Sequence, residues 1–361
     1  MGGVVVAGCA VHDGSGGLSA AALARTVARD ALRDAGLDAG RLTAAFIGTA
    51  DSGGAEGPTA VGARVGLRSL DTGRETSRDA FGHPLAEHAA ASGTEALHMA
   101  CHAIRLEADD AVLCVGVDTA ATRPWPDPAV VHRRALQARR VLGRLSASPN
   151  DLACVVVKNH RHGAERGLAQ TISAEQVLAS EALDWPLTRS MLAGTGAGAA
   201  AIVLTSSAAA SRGAARPTVL ASTVAAGDGD AVSSAAARAY REAGLGPEDT
   251  DCAEVHDVTA AVELDAYDRL GWVTGGPVAE LVTSGFTALG GVLPVNPSGG
   301  LLSLGERPAS AAIAQVASLA LQLRGDGRRV QVPGARTALA YSCGRTGRAA
   351  GELVTITLLA R

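Results

Sequence analysis

The sequence predicts an α/β fold made of two similar lobes. Apolar runs typical of buried strands alternate with alanine-rich helical segments, and glycines separate the two kinds of segment. The order strand, helix, strand also occurs twice, and the two helices end in the related sequences Arg-Asp-Ala-Gly-Leu at 33–37 and Arg-Glu-Ala-Gly-Leu at 241–245. We therefore predict a duplicated architecture, with lobes at about residues 1–215 and 216–361.

The elements of the first lobe follow from local signals, which are valine-rich runs for strands, alanine-rich segments for helices and glycine at a helix end. Predicted in order are a strand at Val4–Val11, a helix at about Ser19–Ala35 ended by Gly36, a strand at Ala44–Gly48, a turn and helix at Ala89–Leu106, and a strand at Ala111–Val117. From Thr119 to about Arg144 the composition shifts to Pro, Trp and Arg, which predicts an excursion over about residues 119–190. Within it, Asn150 is a candidate cap for a helix through His160, although Val155–Val157 alone would favour a strand.

The second lobe shows the same kinds of signal. The strand Ala199–Leu204 closes the first lobe. Predicted after it are a strand at Thr218–Thr223, a helix at Ser233–Ala243, a long helix from Gly300 to about Leu323, and strands at Ala338–Ser342 and Leu353–Leu359.

Composition limits the class of protein. With 361 residues the chain is long enough for two core-forming lobes. Because 47% of the residues are hydrophobic but only 2% are aromatic, the core must consist mainly of Ala, Val and Leu. The net charge of -4 gives no electrostatic reason to expect nucleic acid or an anionic membrane as a partner.

The six cysteines occur singly, mostly within apolar runs, and have no metal-ligand spacing. We therefore expect buried reduced thiols, no metal site and no disulfide framework. The N-terminus lacks the basic region of a signal peptide, and no apolar segment approaches the roughly 20 residues of a membrane span. These features predict a cytoplasmic protein without a membrane span.

One stretch, Ala253–Ser310, has the pattern of a functional site. It begins with a short apolar strand that stops on His256 and Asp257, continues into a helical run, and ends in the glycine-rich turn Asn296–Gly300. Polar groups at the ends of buried strands commonly form binding sites in α/β proteins. We therefore expect this stretch to contain the functional residues.

These motifs resemble the thiolase superfamily, most closely its sterol-carrier or lipid-transfer branch, where a His-Asp and an Asn-Pro-Ser-Gly-Gly motif occur in this order. Ala91–Gly93 resembles the family's nucleophile turn, Leu152–His162 its Lys-Asn-His segment, and Gly194–Leu204 its Asp-Gly-Ala-rich strand. The resemblance implies two similar lobes in a five-layered αβαβα arrangement and a dimer formed across the sheet edge of the first lobe.

Two of the family's working groups are missing together. Thiolases acylate a cysteine that a histidine activates. The resemblance places the nucleophile at Ala90 and the activating histidine, usually in a Gly-His-Pro sequence, at Glu306. Alanine cannot form an acyl-enzyme, whereas Glu306 is either a catalytic base or a carboxylate that is solvated or paired with the adjacent Arg307.

The resemblance assigns roles to the remaining candidates. In the lipid-transfer branch the histidine of the His-Asp motif polarises the thioester carbonyl, a role that falls here on His256, with Asp257 as a residue that fixes its orientation. Cys343 falls where other thiolases carry an acid/base cysteine, although a buried structural thiol is an alternative, and the neighbouring Tyr341 offers a phenol proton. The expected substrate-binding residues, which could present backbone amides to an oxyanion, are Asn296, Ser298, Gly299 and Gly300.

Three functions remain open from the sequence. The first is carbon–carbon bond cleavage or formation next to an acyl-coenzyme A thioester without a cysteine acyl-enzyme, as in a retro-aldol reaction. The second is a non-catalytic subunit that supports an active thiolase-like partner, and the third is conventional thiolase acyl transfer. The resemblance implies coenzyme A thioester as substrate, no tightly bound cofactor, a homodimer or heterodimer, and an OB-fold companion protein. A basic run at 132–144 is either a phosphate contact or a solvated helix face.

Overall fold

The computed structural model describes residues 3–14, 18–48, 86–90, 92–107, 109–119, 127–210, 216–227, 229–345 and 352–361. The first half contains β1 (Val4–His12), α1 (Ala20–Ala35), β2 (Ala44–Gly48), β3 (Ala86–Ala90), α2 (Gly93–Arg105), β4 (Ala111–Asp118), α3 (Pro128–Leu145), α4 (Pro149–Glu165), α5 (Ala174–Ala179), β5 (Ala182–Asp184), β6 (Leu187–Thr188) and β7 (Gly198–Ser206). The second half contains β8 (Thr218–Ala226), α6 (Gly229–Ala243), β9 (Cys252–Glu254), α7 (Ala260–Arg269), α8 (Glu280–Thr283), α9 (Gly300–Leu304), α10 (Ala311–Arg324), β10 (Thr337–Arg345) and β11 (Glu352–Ala360).

The strand order shows the duplication directly. Nine strands pair in the order β3-β2-β4-β7-β1-β8-β11-β10-β9. In the first half β1 and β4 flank β7 as antiparallel neighbours and β2 lies parallel to β4. In the second half β8 and β10 flank β11 in the same way and β9 lies parallel to β10. The two half-sheets meet where β1 pairs with β8, with Val4 opposite Val219.

The helices complete five layers. Helices α2 and α10 pack on each other and contact strands of both half-sheets, so they form the central layer. Helix α1 covers the outer face of the first half-sheet and α6 that of the second. Separate apolar clusters fill these interfaces, and apart from a few larger residues such as Tyr267 they consist largely of Ala, Val, Leu and Ile. The predicted two-lobed αβαβα arrangement is therefore confirmed, while the exact lobe boundaries and the extent of the excursion stay predictions.

Helix α4 settles an ambiguity of the sequence. Val155 and Val156 lie inside this helix with no exposed surface, because burial outweighs the preference of valine for strands. The predicted cap at Asn150 is wrong. The N-cap is Ser148, whose backbone N–H donates to the Asp151 carboxylate at 2.7 Å. Residues 120–126 of the predicted excursion lie outside the described residues.

The predicted long helix from Gly300 to about Leu323 is also wrong. Two helices, α9 and α10, occupy this stretch, and Gly305 separates them with a φ of +84° that side chains rarely tolerate. The next residue, Glu306, is extended and forms an isolated parallel bridge with Thr195. Glu306 therefore does not stand at a helix start, and no helix dipole stabilises its charge.

Candidate active site

Two chain segments contact the start of α2, and a third, with His256, contacts one of these. The backbone N–H of Gly93 donates to the carbonyl of Pro308 at 3.0 Å, which brings the segment after Glu306 against this helix. A Cβ atom added to Gly344 would lie 2.6 Å from Ser92 Oγ, so the end of β10 contacts the same point. The rings of His256 and Tyr341 are in edge contact, with centroids 6.3 Å apart.

Position 90 lies at the edge of this region. Ala90 is the last residue of β3, pairs with Gly48 of β2, and precedes the N-cap Ser92 by two residues. The Ser92 hydroxyl accepts a hydrogen bond from the Glu95 amide at 3.3 Å, which fixes the first turn of α2. A buried helix thus begins shortly after the position where the resemblance places the nucleophile.

Sequence reasoning missed Glu352 as a site residue and considered Arg134 only as part of a basic run. Arg134 Nη1 donates to Glu352 Oε1 at 3.2 Å, and the thiol of Cys343 lies 3.5 Å from Glu352 Oε2. Burial opposes ionisation, but the charge of Arg134, and at low pH that of protonated His256, hold the pKa of Glu352 below its ordinary value. Glu352 is therefore a carboxylate that links the cysteine to a cation.

His256 follows β9 and is 8% exposed. Burial, and then the charge of Arg134, lower the pKa of His256 to about 4. Within the described residues no hydrogen bond joins its ring to another group. At neutral pH the ring is therefore an uncharged imidazole, and its one N–H donor has no acceptor among the described residues.

Cys343 and Tyr341 are held in their neutral forms. Burial, and then the charge of Glu352, raise the pKa of Cys343 well above its ordinary value. Burial, and then the neighbouring Cys343, also raise the pKa of Tyr341 well above its ordinary value. A thiol in this state is a poor nucleophile, because the thiolate is the reactive form. Both groups are proton donors at neutral pH.

Glu306 faces the same group of charges. Its backbone is held on both sides, since its N–H donates to the Gly194 carbonyl at 2.6 Å and its carbonyl accepts from the Gly196 N–H at 3.0 Å. Burial raises the pKa of Glu306, while the charge of Arg134 opposes that change. The carboxyl group is thereby shifted towards the range in which a general base exchanges protons near neutral pH.

Asp257 does not orient His256, contrary to expectation. Its carboxylate accepts hydrogen bonds from the amides of Leu301 and Leu302, at 2.6 and 3.1 Å, and from Asn159 Nδ2 at 2.8 Å. Adjacent residues in an extended segment point to opposite sides, so Asp257 faces α9 while His256 faces Tyr341. The His-Asp pair therefore serves two separate tasks.

The glycine-rich turn is bound into the scaffold. Asn296 Oδ1 accepts from the Val255 amide at 2.8 Å, and the Ser298 amide and hydroxyl donate to Glu254 at 3.0 and 2.7 Å. Ser298 and Gly300 also line a cavity of about 1120 Å³, described below. The contacts show a structural role for Asn296 and Ser298, and the expected binding role of Asn296, Ser298, Gly299 and Gly300 stays a prediction.

Gly300 offers a direct test of this scaffold. Its φ is +64°, and a Cβ atom added to it would lie 2.2 Å from Asp257 Oδ2. Gly300→Ala is expected to lower the free energy of unfolding by more than the roughly 1–3 kcal/mol of backbone strain, measured by urea denaturation. The matched control is Gly36→Ala, because Gly36 has a φ of +66° with nothing within 4 Å of an added Cβ. Equal losses in both variants would contradict the contact with Asp257.

A group of buried charged and polar side chains connects the His-Asp motif to the glycine-rich turn. Lys158 Nζ lies 2.9 Å from Glu263 Oε1 and donates to the Val295 carbonyl at 2.8 Å. Asn159 Nδ2 donates to Glu263 as well as to Asp257, and Asn296 Nδ2 also donates to Glu263. The Lys-Asn pair of α4 thus joins both motifs of the second lobe.

The basic run at 132–144 lies on α3, and several of its members have carboxylate partners. His132 and Arg139 contact Asp184, while Arg144 contacts Asp265 and Asp268. These exposed pairs favour a solvated helix face over a phosphate site for this run, and only Arg134 reaches the candidate active site.

Neither a membrane-spanning helix nor a cluster of metal ligands is found in the described part of the chain. No helix there has the length and apolar character needed to cross a bilayer. No group of three or more His, Cys, Asp or Glu side chains there is placed to hold a metal ion.

Comparison with known proteins identifies the family. A model of the thiolase C-terminal domain matches residues 221–357. Benzoylsuccinyl-CoA thiolase subunit BbsB of Thauera aromatica is 30% identical over 79% of this chain and 83% of its own length. Sterol carrier protein 2 of Rattus norvegicus is 43% identical, but over 32% of this chain and 21% of that protein. The chain belongs to the thiolase family, so the resemblance predicted from its motifs is confirmed.

A solved structure agrees with this fold over nearly the whole chain. The structure titled Ltp2-ChsH2(DUF35) aldolase superposes with a TM-score of 0.76 over 98% of this chain and 97% of that chain. The sequence identity is 19%, so the similarity concerns the fold.

Proposed function

We propose that this protein cleaves or forms a carbon–carbon bond next to the carbonyl of an acyl-coenzyme A-type thioester without a cysteine acyl-enzyme. The observation that carries the proposal is a neutral imidazole, His256, in edge contact with Tyr341 and near Glu352, whose carboxylate also meets the protonated Cys343 and acts on the charge of Glu306. Such a group can polarise a carbonyl and move protons, but it contains no thiolate to accept an acyl group.

A retro-aldol reaction fits these groups. Glu306 removes the proton from the β-hydroxyl group of a β-hydroxyacyl thioester, and the bond between the α and β carbons breaks. Its electrons pass into the thioester as an enolate, whose oxygen accepts a hydrogen bond from His256. Tyr341 or Cys343 then protonates the α carbon and takes up the proton held by Glu306, which restores the enzyme and releases a shorter acyl thioester and a carbonyl compound. Coenzyme A acts here as part of the substrate rather than as a bound cofactor.

A partner protein belongs to the proposal. The name of the aldolase with a similar fold joins two proteins, Ltp2 and ChsH2, and the Thauera relative is named as a subunit. We therefore include in the proposal a dimer with a second thiolase-like chain and an OB-fold companion. The lobes at about residues 1–215 and 216–361 are part of the same proposal.

His256→Ala is the variant that tests this function. Turnover of a β-hydroxyacyl-coenzyme A substrate, followed by the appearance of the shorter thioester, is expected to fall by about 10²–10³-fold, as on loss of one oxyanion donor. Ala90→Ser, the control, is expected to retain turnover because no acyl-enzyme forms at position 90. Unchanged turnover in the folded His256 variant would contradict the proposal.

The same assay separates the two other functions. The second candidate is a non-catalytic subunit, which is favoured because Ala90 and Glu306 stand where the family has its cysteine and histidine. Such a subunit would show no turnover alone and would co-purify with an active thiolase-like chain. Conventional acyl transfer would leave an acyl adduct on Cys101 or Cys343. Burial raises the pKa of Cys101 to about 12, so its thiol is protonated at neutral pH.

A further inference from the structure

Arg307 is a buried cation without a partner among the described residues. Arg307 is 6% exposed, and its Nε has no hydrogen-bond acceptor. No ion pair or hydrogen bond of its guanidinium is found in the described part of the chain. Leaving a guanidinium unpaired in the interior is costly, so buried arginines normally contact a carboxylate or another anion.

The carboxylate of Asp118, which lies near Arg307, already accepts hydrogen bonds from other donors. Asp118 accepts hydrogen bonds from the Ala309 amide at 3.0 Å and from the amide and hydroxyl of Ser310, at 2.8 and 2.7 Å. Three donors thus bind the carboxylate of Asp118, which attracts the Arg307 charge but makes no hydrogen bond with its guanidinium. The cation is therefore free to contact a group from outside the protein.

The backbone around Arg307 is shaped to admit its side chain. A Cβ atom added to Gly196 would lie 2.9 Å from Arg307 Cγ, and one added to Gly198 would lie 2.7 Å from its Nη1. Both positions must lack a side chain for the guanidinium to pass over the start of β7. Because Glu306 and Arg307 are consecutive in an extended segment, Arg307 points away from the candidate active site.

The side chain of Arg307 faces the cavity of about 1120 Å³. Three exposed arginines, Arg166, Arg328 and Arg329, also line it, and Arg166 Nη1 donates to the Ser298 carbonyl at 3.1 Å. Part of the wall is apolar and includes Leu301, Leu304, Leu321 and Val330. The volume slightly exceeds the roughly 300–1,000 Å³ of typical small-molecule sites, so a small organic ligand fits with room for water.

Acidic side chains also line this cavity, and most have partners within the protein. Glu254 accepts hydrogen bonds from Ser298, Asp257 from the start of α9, and Asp326 from Arg324. Asp13 and Glu165 are exposed at the rim. The charges of Asp118 and Glu254 favour the Arg307 cation, but neither carboxylate is among the hydrogen-bond or ion-pair partners of its guanidinium, so its N–H groups can still contact an anion in the cavity.

We propose that this cavity binds the oxyanion group, carboxylate or phosphate, of a small organic ligand, with Arg307 as the inner contact and Arg166 as the second cation. Arginine suits both anions because its planar N–H groups contact two oxygens at once. The apolar wall accommodates the carbon part of the ligand. This site is separate from the His256 cluster, and the proposal does not depend on the proposed reaction.

Thermal unfolding of the full chain with two probes, inorganic phosphate and hexanoate, tests the proposal against chloride at equal ionic strength. At least one probe is expected to raise the melting temperature, and its Kd is expected to be at least about tenfold weaker in Arg307→Met, corresponding to the loss of a charge-assisted contact. Arg166→Met, a change at an exposed residue, is expected to weaken binding as well. Arg139→Met, outside the cavity, is the control and is expected to bind normally.

The outcomes are distinct. Stabilisation by phosphate alone identifies a phosphate ligand and stabilisation by hexanoate alone a carboxylate, and either result supports the site when Arg307→Met weakens binding by at least about tenfold. Without probe, Arg307→Met is expected to unfold at an equal or higher temperature than the parent protein, because it removes an unpaired buried charge. No stabilisation by either probe, or equal stabilisation of Arg307→Met, would overturn the proposal.

Discussion

Lys158→Met is expected to lower the free energy of unfolding by about 3–5 kcal/mol, because removing one member of a buried ion pair leaves the other uncompensated. The side chain of Lys158 is 5% exposed and that of Glu263 is 0% exposed, with Nζ and Oε1 2.9 Å apart. Urea denaturation measures the loss. A change below about 1 kcal/mol would contradict a structural role for this pair.

A double-mutant cycle provides the control for Lys158. Glu263→Gln alone leaves the ammonium unpaired, whereas the double variant removes both charges, so its loss is expected to be smaller than the sum of the single losses. An additive result would show that the two groups do not interact. Lys158→Arg is expected to destabilise too, because the ammonium reaches three acceptors, on Glu263, Val295 and Asn159, that a planar guanidinium does not match.

A signal for this pair was present in the sequence. Lys158 is the only lysine among the 32 Lys and Arg residues of the chain. Every other basic position uses arginine, so a single lysine inside an apolar helical run marks a place that needs a compact ammonium. Its partner Glu263 carries no comparable mark, because a glutamate in the first turn of a helix is common for electrostatic reasons.

The architecture could be predicted because its signals are local and repeated. The related helix ends at 33–37 and 241–245 fall at the ends of α1 and α6, which precede equivalent strands of the two half-sheets. Local signals failed between Gly300 and Leu323. The leucines and alanines there favour a continuous helix, but Gly305 and the backbone pairing of Glu306 with Thr195 interrupt it. Pairing with a segment more than a hundred residues away leaves no local signal.

The candidate site could be predicted in part, because some of its residues lie in local sequence motifs. His256, Glu306, Tyr341 and Cys343 lie in or beside recognisable motifs, and the structure places them on segments that contact the start of α2 or each other. Glu352 belongs to no motif, and it enters the site because the pairing of β10 with β11 sets it opposite Arg345, close to Cys343. The direction of the Asp257 side chain also depends on Gly300, whose missing Cβ leaves room for the carboxylate.

Glu306→Gln is expected to reduce kcat for cleavage of a β-hydroxyacyl thioester by about 10²–10⁴-fold, the usual contribution of a general base. Glutamine keeps the size and hydrogen-bonding capacity of the side chain but cannot accept a proton. The matched control is Glu175→Gln, at an exposed position of α5, which is expected to leave kcat unchanged. Retention of kcat within about threefold in Glu306→Gln would contradict its role as the base.

The pH dependence of kcat distinguishes Glu306 from Glu352. Burial raises the pKa of Glu306, so its basic form accumulates as pH rises, and the rising limb is expected above its ordinary pKa of 4.5. The charges around Glu352 lower its pKa despite burial, so a limb due to Glu352 would fall below 4.5. Glu306→Gln is expected to lose the upper limb, whereas Glu352→Gln is expected to retain it. The carboxyl group whose removal abolishes that limb is the base, because burial and charge separate the two titrations.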